Sequence, residues 1–115
     1  MQDEILDKTI RINMLFDFYQ LLLTEKQQMF LRYYYNDNYS LGEIAAEFEI
    51  SRQAVYEHIK RAEHMLEEYE TKLQLFRRYG ERSELLDDLR QAVEQLPDSH
   101  RGKVLEIVDR MDQLD

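Results

Sequence analysis

Cysteine is absent from this chain, which removes disulfides, thiolate zinc sites and cysteine nucleophiles together and fits a reducing compartment. Helix breakers are scarce: the one proline is Pro97, and the glycines are Gly42, Gly80 and Gly102. No apolar run approaches the ~18 residues a bilayer-crossing helix needs. Low-complexity tracts, internal repeats and flexible linkers are missing, and no alternating run bounded by turn residues signals a strand. The glycine loops that cradle phosphates in nucleotide enzymes are missing too. Positive charge is in the minority, with 15 Lys and Arg against 24 Asp and Glu, a net charge of −9. The first residues, Met1-Gln2-Asp3-Glu4, are acidic where a signal peptide would be basic. The expectation is a soluble cytoplasmic protein without membrane insertion.

What remains is helical periodicity, and with 43% hydrophobic residues there is enough for a core. An all-α fold is expected: one helical domain over 1–115, carrying a helix-turn-helix within 24–66 and a helical tail over 81–115. The first helix is read over about Asp3 to Leu22. Ile5, Ile12, Leu15, Phe16, Tyr19, Leu22 and Leu23 keep the helical period, while Met14, Phe18 and Leu21 add apolar surface on a second side. Such a helix is expected to be buried on more than one face.

Thr24-Glu25-Lys26-Gln27 is a capping-box pattern that opens a second helix, with Met29, Phe30 and Tyr33 pointing inward and an end near Tyr35. Asn36-Asp37-Asn38-Tyr39 is a polar turn. Ser40-Leu41-Gly42-Glu43 is a second capping box, opening a short helix to about Phe48. Ser51 caps a long fourth helix, expected to run unbroken beyond Phe76 until Gly80 takes a left-handed stop. Two short amphipathic helices follow, one through Leu85, Leu86, Leu89, Ala92, Val93 and Leu96, the other through Val104, Val108, Met111 and Leu114.

The informative stretch is 40–62. Ile44, Ala45 and Phe48 form the inner face of one short helix, Ile50 plugs the turn, and Val55 and Ile59 form the inner face of the next. Ala45 has to be small because two helices cross there steeply. The connection Glu49-Ile50-Ser51 has helix-turn-helix length. In such a unit the exposed N-terminal residues of the second helix meet a DNA major groove. Ser51, Arg52, Gln53, Tyr56, Glu57, Lys60 and Arg61 are the candidate nucleic-acid-binding residues: Gln53 suits an adenine edge, Arg52 a guanine or a phosphate, and Lys60 and Arg61 the backbone. Charge follows the same division. Residues 1–50 carry four basic against nine acidic side chains, 51–79 six against five, and 80–115 five against ten. Glu43, Glu47, Glu49 and Glu57 nevertheless surround the candidate face, and Glu49 stands where glycine is common at the first turn position.

Leu23-Thr24-Glu25-Lys26-Gln27, Ser40-Leu41-Gly42-Glu43-Ile44-Ala45 and Ile50-Ser51-Arg52-Gln53-Ala54-Val55 resemble the promoter-reading region 4 of sigma-70-type sigma factors, over residues 23 to about 66. Nearly the whole chain is similar to the YlxM family of small bacterial helix-turn-helix proteins, through Phe30-Leu31-Arg32-Tyr33-Tyr34-Tyr35 and Tyr56-Glu57-His58-Ile59-Lys60-Arg61. That resemblance implies that the protein acts in, or regulates, the signal recognition particle pathway, because the family's genes usually neighbour that of the particle's GTPase. The partners it implies are DNA, the particle's RNA or its GTPase. A working sigma factor is excluded by length, since no second domain is present to hold RNA polymerase.

Other patterns have bland readings. Val55, Ile59, Ala62, Leu66, Tyr69, Leu73 and Phe76 make a heptad seam, which serves either the chain's own packing or a dimer. Together with the two-sided first helix it favours a homodimer. His58, His64 and His100 are not spaced as metal ligands. Glu67-Glu68 and Asp87-Asp88 are adjacent, so they point to different faces and read as solvated surface. No cofactor, metal or catalytic site is expected, and the chain is not expected to be an enzyme. Two functions compete: a DNA-binding regulator, and a protein-interaction accessory of the signal recognition particle that uses its acidity to meet a basic partner.

Overall fold

The computed structural model describes residues 2–114, and these form six α-helices with no strand among them. The all-α, helix-turn-helix expectation holds. The chain divides into two compact units after Gln74.

In the first unit, α1 spans Gln2–Tyr19 and runs on into a tight turn at Gln20–Leu22. It buries Ile12, Leu15, Phe16 and Tyr19, with Leu23 following. The expectation of a two-sided buried helix holds only in part: on the second side Met14 and Phe18 are half-buried and Leu21 is 89% exposed, while Ile5 and Leu22 of the first side are 67% and 52% exposed. Helix α2, Glu25–Leu31, opens on the expected capping box: Gln27 donates its N–H to the Thr24 hydroxyl while the Gln27 amide oxygen accepts from the Thr24 N–H. Phe30 and Leu31 are buried. Met29, expected inward, is exposed, because the helix rolls so that its neighbours Phe30 and Leu31 take the interior. A wide turn at Arg32–Asn36 prolongs α2, which shifts the register of the three tyrosines. Tyr33 ends half-buried, stacked on Tyr39 and near Phe48, while Tyr34 is left exposed.

Helix α3 spans Leu41–Phe48 and α4 Arg52–Leu73. The buried residues of α4 are Val55, Ile59, Ala62 and Leu66, packed against α1, α2 and α3. The heptad seam is therefore an intrachain seam as far as Leu66, and it no longer argues for a dimer. It also stops earlier than expected. Gln74 adopts the left-handed conformation (φ 55°, ψ 33°), its N–H bonds back to the Glu70 carbonyl at 2.8 Å, and α4 ends at Leu73. Gly80 is no stop: it lies inside α5, and no described glycine has positive φ. An apolar period cannot announce a break at a glutamine, which is otherwise a good helix former.

In the second unit, α5 (Leu75–Val93) begins six residues before the expected tail and packs on α6 (Asp98–Gln113). Pro97 holds extended geometry before α6, and Asp98 places negative charge in its first turn. Leu86, Val93 and Val108 are buried, while Leu85, Leu89, Met111 and Leu114 are exposed. Arg90 ties the two helices through Asp109 at 3.2 Å and Asp112 at 3.1 Å.

Candidate nucleic-acid interface

The helix-turn-helix is built by two caps and one strained residue. The Ser40 hydroxyl accepts from the Glu43 N–H, and the Glu43 carboxylate accepts from the Ser40 N–H, so α3 starts on a full capping box. Glu49 closes α3 in the left-handed region (φ 55°, ψ 44°), which glycine occupies at no steric cost and a glutamate at a cost of about 1–2 kcal/mol. The Ile50 N–H returns to the Ala45 carbonyl at 3.1 Å. Ser51 then caps α4, accepting from the Ala54 N–H at 3.0 Å.

Of the residues expected inside, Ile44, Ala45, Val55 and Ile59 are buried, and Phe48 and Ile50 are half-buried. Phe48 sits 4.6 Å from the Phe30 ring, which also stacks on His58 at 4.8 Å and 6°. His58 is thereby part of the wall behind the turn. Burial, with the nearby Lys26 and Arg61 charges, holds its imidazole below the usual histidine range.

Ser51, Arg52, Gln53, Tyr56, Glu57, Lys60 and Arg61 are all exposed along the outer side of α4. Their surroundings differ. The Arg52 guanidinium lies across Gly42 in the first turn of α3, where a Cβ would stand 3.1 Å from its Nε and Nη2. Gly42 thus leaves room for that guanidinium. Gln53 Nε2 donates to Glu57 Oε1 at 3.4 Å, a long bond that base contact can replace. Lys60 stands 5.4 Å from the Tyr56 ring centre and 3.5 Å from Glu63 Oε2.

Several residues behind this face escaped the sequence reading. Glu63 and Glu70 are buried carboxylates on α4. Glu63 accepts from the Tyr35 hydroxyl and faces Lys8 at 3.4 Å. Burial and the Glu63 bond push the Tyr35 phenol well above the usual tyrosine value. Glu70 accepts from the Tyr19 hydroxyl at 2.6 Å. Arg11 clamps Glu67 with bonds of 2.7 and 2.8 Å, which hold that carboxyl below its usual value. The one signal available was spacing: Glu63 and Glu70 each follow a seam residue, Ala62 and Tyr69, and so flank the packed stripe. Among the described residues no group of three or more His, Asp or Glu could hold a metal ion, and no helix is long and apolar enough to cross a membrane.

Comparison with known proteins agrees with this geometry. The profile of the UPF0122 family, described as "Putative helix-turn-helix protein, YlxM / p13 like", matches residues 6–105. A UPF0122 protein of Halalkalibacterium halodurans is 52% identical over 111 residues, covering 96% of this chain and 100% of the relative. One from Shouchella clausii is 51% identical over the same shares, and one from Bacillus thuringiensis is 50% identical over 94% of this chain and 100% of its own. With a match over most of its length and relatives at half identity end to end, the chain belongs to the YlxM / p13-like helix-turn-helix family, UPF0122.

Proposed function

We propose that this protein is a non-catalytic regulator that binds nucleic acid through the outer face of α4, acting in the cytoplasm in the signal recognition particle pathway that its family resemblance implies. One observation carries the binding reading. Arg52, Gln53, Tyr56, Lys60 and Arg61 are exposed on one side of α4, while Val55 and Ile59 of the same helix are buried on the other. A titration against DNA duplexes and the particle's RNA at several salt concentrations tests it. Lys60→Ala and Arg61→Ala should weaken all sequences alike and flatten the salt slope by about one unit per lost phosphate contact. Gln53→Ala should blur sequence preference by ~1–3 kcal/mol. Absence of binding at low salt overturns the reading.

The net charge of −9 and the Glu57 carboxylate beside Gln53 favour a second reading, in which the same face meets a basic protein such as the particle's GTPase. Tyr56→Ala should then damage binding more than Lys60→Ala, since desolvated aromatics dominate protein interfaces. A homodimer, if formed, needs a surface other than the seam, and exposed Leu21 and Leu22 offer one. Sedimentation at micromolar concentration should give twice the chain mass, reduced by Leu21→Glu. A monomer at all concentrations removes the dimer.

A further inference from the structure

Beside the outer face of α4 lies a cleft of about 300 Å³ that the helix-turn-helix reading touches only at Tyr56 and Lys60. Ile5 and Lys8 of α1, Tyr34 of the wide turn, and Tyr56, Lys60 and Glu63 of α4 line it. Its volume is at the small end of the range for ligand pockets.

The chemistry of its wall is specific. Glu63, only 6% exposed, is matched by the Tyr35 hydroxyl, Lys8 and Lys60. Two ammoniums against one carboxylate leave one positive charge in excess. The lysine side chains stay 52% and 44% exposed, and each ammonium has three donors, so capacity remains for an anion in the cleft. The aromatic wall is partly open, with the Lys60 ammonium over the Tyr56 ring at 5.4 Å from its centre. Tyr34 is 37% exposed and held edge-on by Tyr35, with ring centres 5.1 Å apart at 87°, while Tyr56 is 45% exposed. Phenol rings beside a paired cationic patch suit a planar ring that carries an anionic group. Bases stacked inside a duplex have no free face, so only an unpaired base can lie against the two phenols.

We propose that the cleft takes a single unpaired nucleotide, its base against Tyr34 and Tyr56 and its phosphate on Lys8 and Lys60. For a nucleotide within a strand this rests on the nucleic-acid reading of α4, with which the cleft shares Tyr56 and Lys60. A free mononucleotide does not need that reading.

The test uses the full chain with four probes: adenosine monophosphate, inorganic phosphate, a short single-stranded oligonucleotide and a duplex of the same sequence. Calorimetry gives affinity, and amide chemical shifts locate the ligand. The monophosphate should bind with shifts at Lys8 and Tyr34, and inorganic phosphate alone should bind far more weakly. Tyr34→Leu should weaken the monophosphate about five- to a hundredfold, the range expected for losing one stacking partner. Lys8→Met should weaken it as well, and Arg110→Ala, on α6, should leave it unchanged. Should the source be a strand, the single strand will bind more tightly than the monophosphate, and Tyr34→Leu will remove that advantage without affecting the duplex. Melting curves check that each variant folds, and Lys8→Met decides if Tyr34→Leu does not. The proposal is overturned if neither monophosphate nor single strand binds, or if both bind the two variants as tightly as the parent. Duplex binding that Arg61→Ala weakens would in that case leave the reading of α4 standing.

Discussion

The two compact units differ in how their apolar residues are used. Among the described residues, thirteen apolar side chains are buried before Gln74 and three after it. The first unit layers α1, α2 and α3 on α4 and inserts Tyr19, Phe30, Leu15 and Leu66 at full burial. The second has Leu86, Val93 and Val108 inside, with Leu85, Leu89, Ile107, Met111 and Leu114 exposed. Beside that thin core, Arg90 pairs with Asp109 and Asp112, and Arg82 donates to the Met111 carbonyl at 3.1 Å. Exposed ion pairs contribute little. The difference is one of support: a well-buried core underlies the face of α4, while a helix pair with a thin core keeps much of its apolar surface exposed.

The sharpest way to break this comparison is at the core. Leu66→Ala, at a fully buried site, should cost ~2–5 kcal/mol in denaturant unfolding, while Leu85→Ala, at a 68% exposed site, should stay within ~0.5 kcal/mol. Equal losses would erase the distinction. Next in size is the buried polar edge of α4. Tyr19→Phe removes the hydroxyl that serves Glu70 and should cost ~1–3 kcal/mol, read from the same unfolding curves. At the turn, Glu49→Gly should raise stability by about 1 kcal/mol, because the left-handed conformation then carries no side-chain penalty. A loss of stability there would mean that the Glu49 side chain makes a contribution of its own.

The smallest effect expected is pH-dependent and confined to the first unit. His58 has a folded pKa below its unfolded one, so the unfolded chain binds the proton better. Stability should therefore fall as pH drops through the ordinary histidine range, and His58→Phe should flatten that slope. Glu67 acts at more acidic pH. Its folded pKa is depressed by Arg11, so its modest contribution is present above the usual carboxylate range and lost as pH falls through the depressed value.

How far the sequence was legible follows from which features are local. Capping boxes at Thr24 and Ser40, and the cap at Ser51, depend on residues three apart, and all three form as read. The inner face of the helix-turn-helix was legible because Ile44, Ala45, Val55 and Ile59 keep helical spacing. The end of α4 was not, because Gln74 is an ordinary helix residue and its left-handed turn carries no composition signal. Roll was not legible either, since Met29 and Phe30 are both apolar and only tertiary packing places one outside. The cleft was invisible for a similar reason: Lys8, Tyr35 and Glu63 lie far apart in sequence, and Tyr35, in the wide turn at Arg32–Asn36, reaches Glu63 of α4.

The proposed binding face lies on α4 in the first unit. Chemical-shift mapping of the full chain with a DNA duplex at low salt tests it most directly. Shifts should concentrate on residues 51–61, spread at most to Lys8, Tyr34 and Gly42, and spare residues 85–111. Shifts centred on α5 and α6, with 51–61 unmoved, would contradict it.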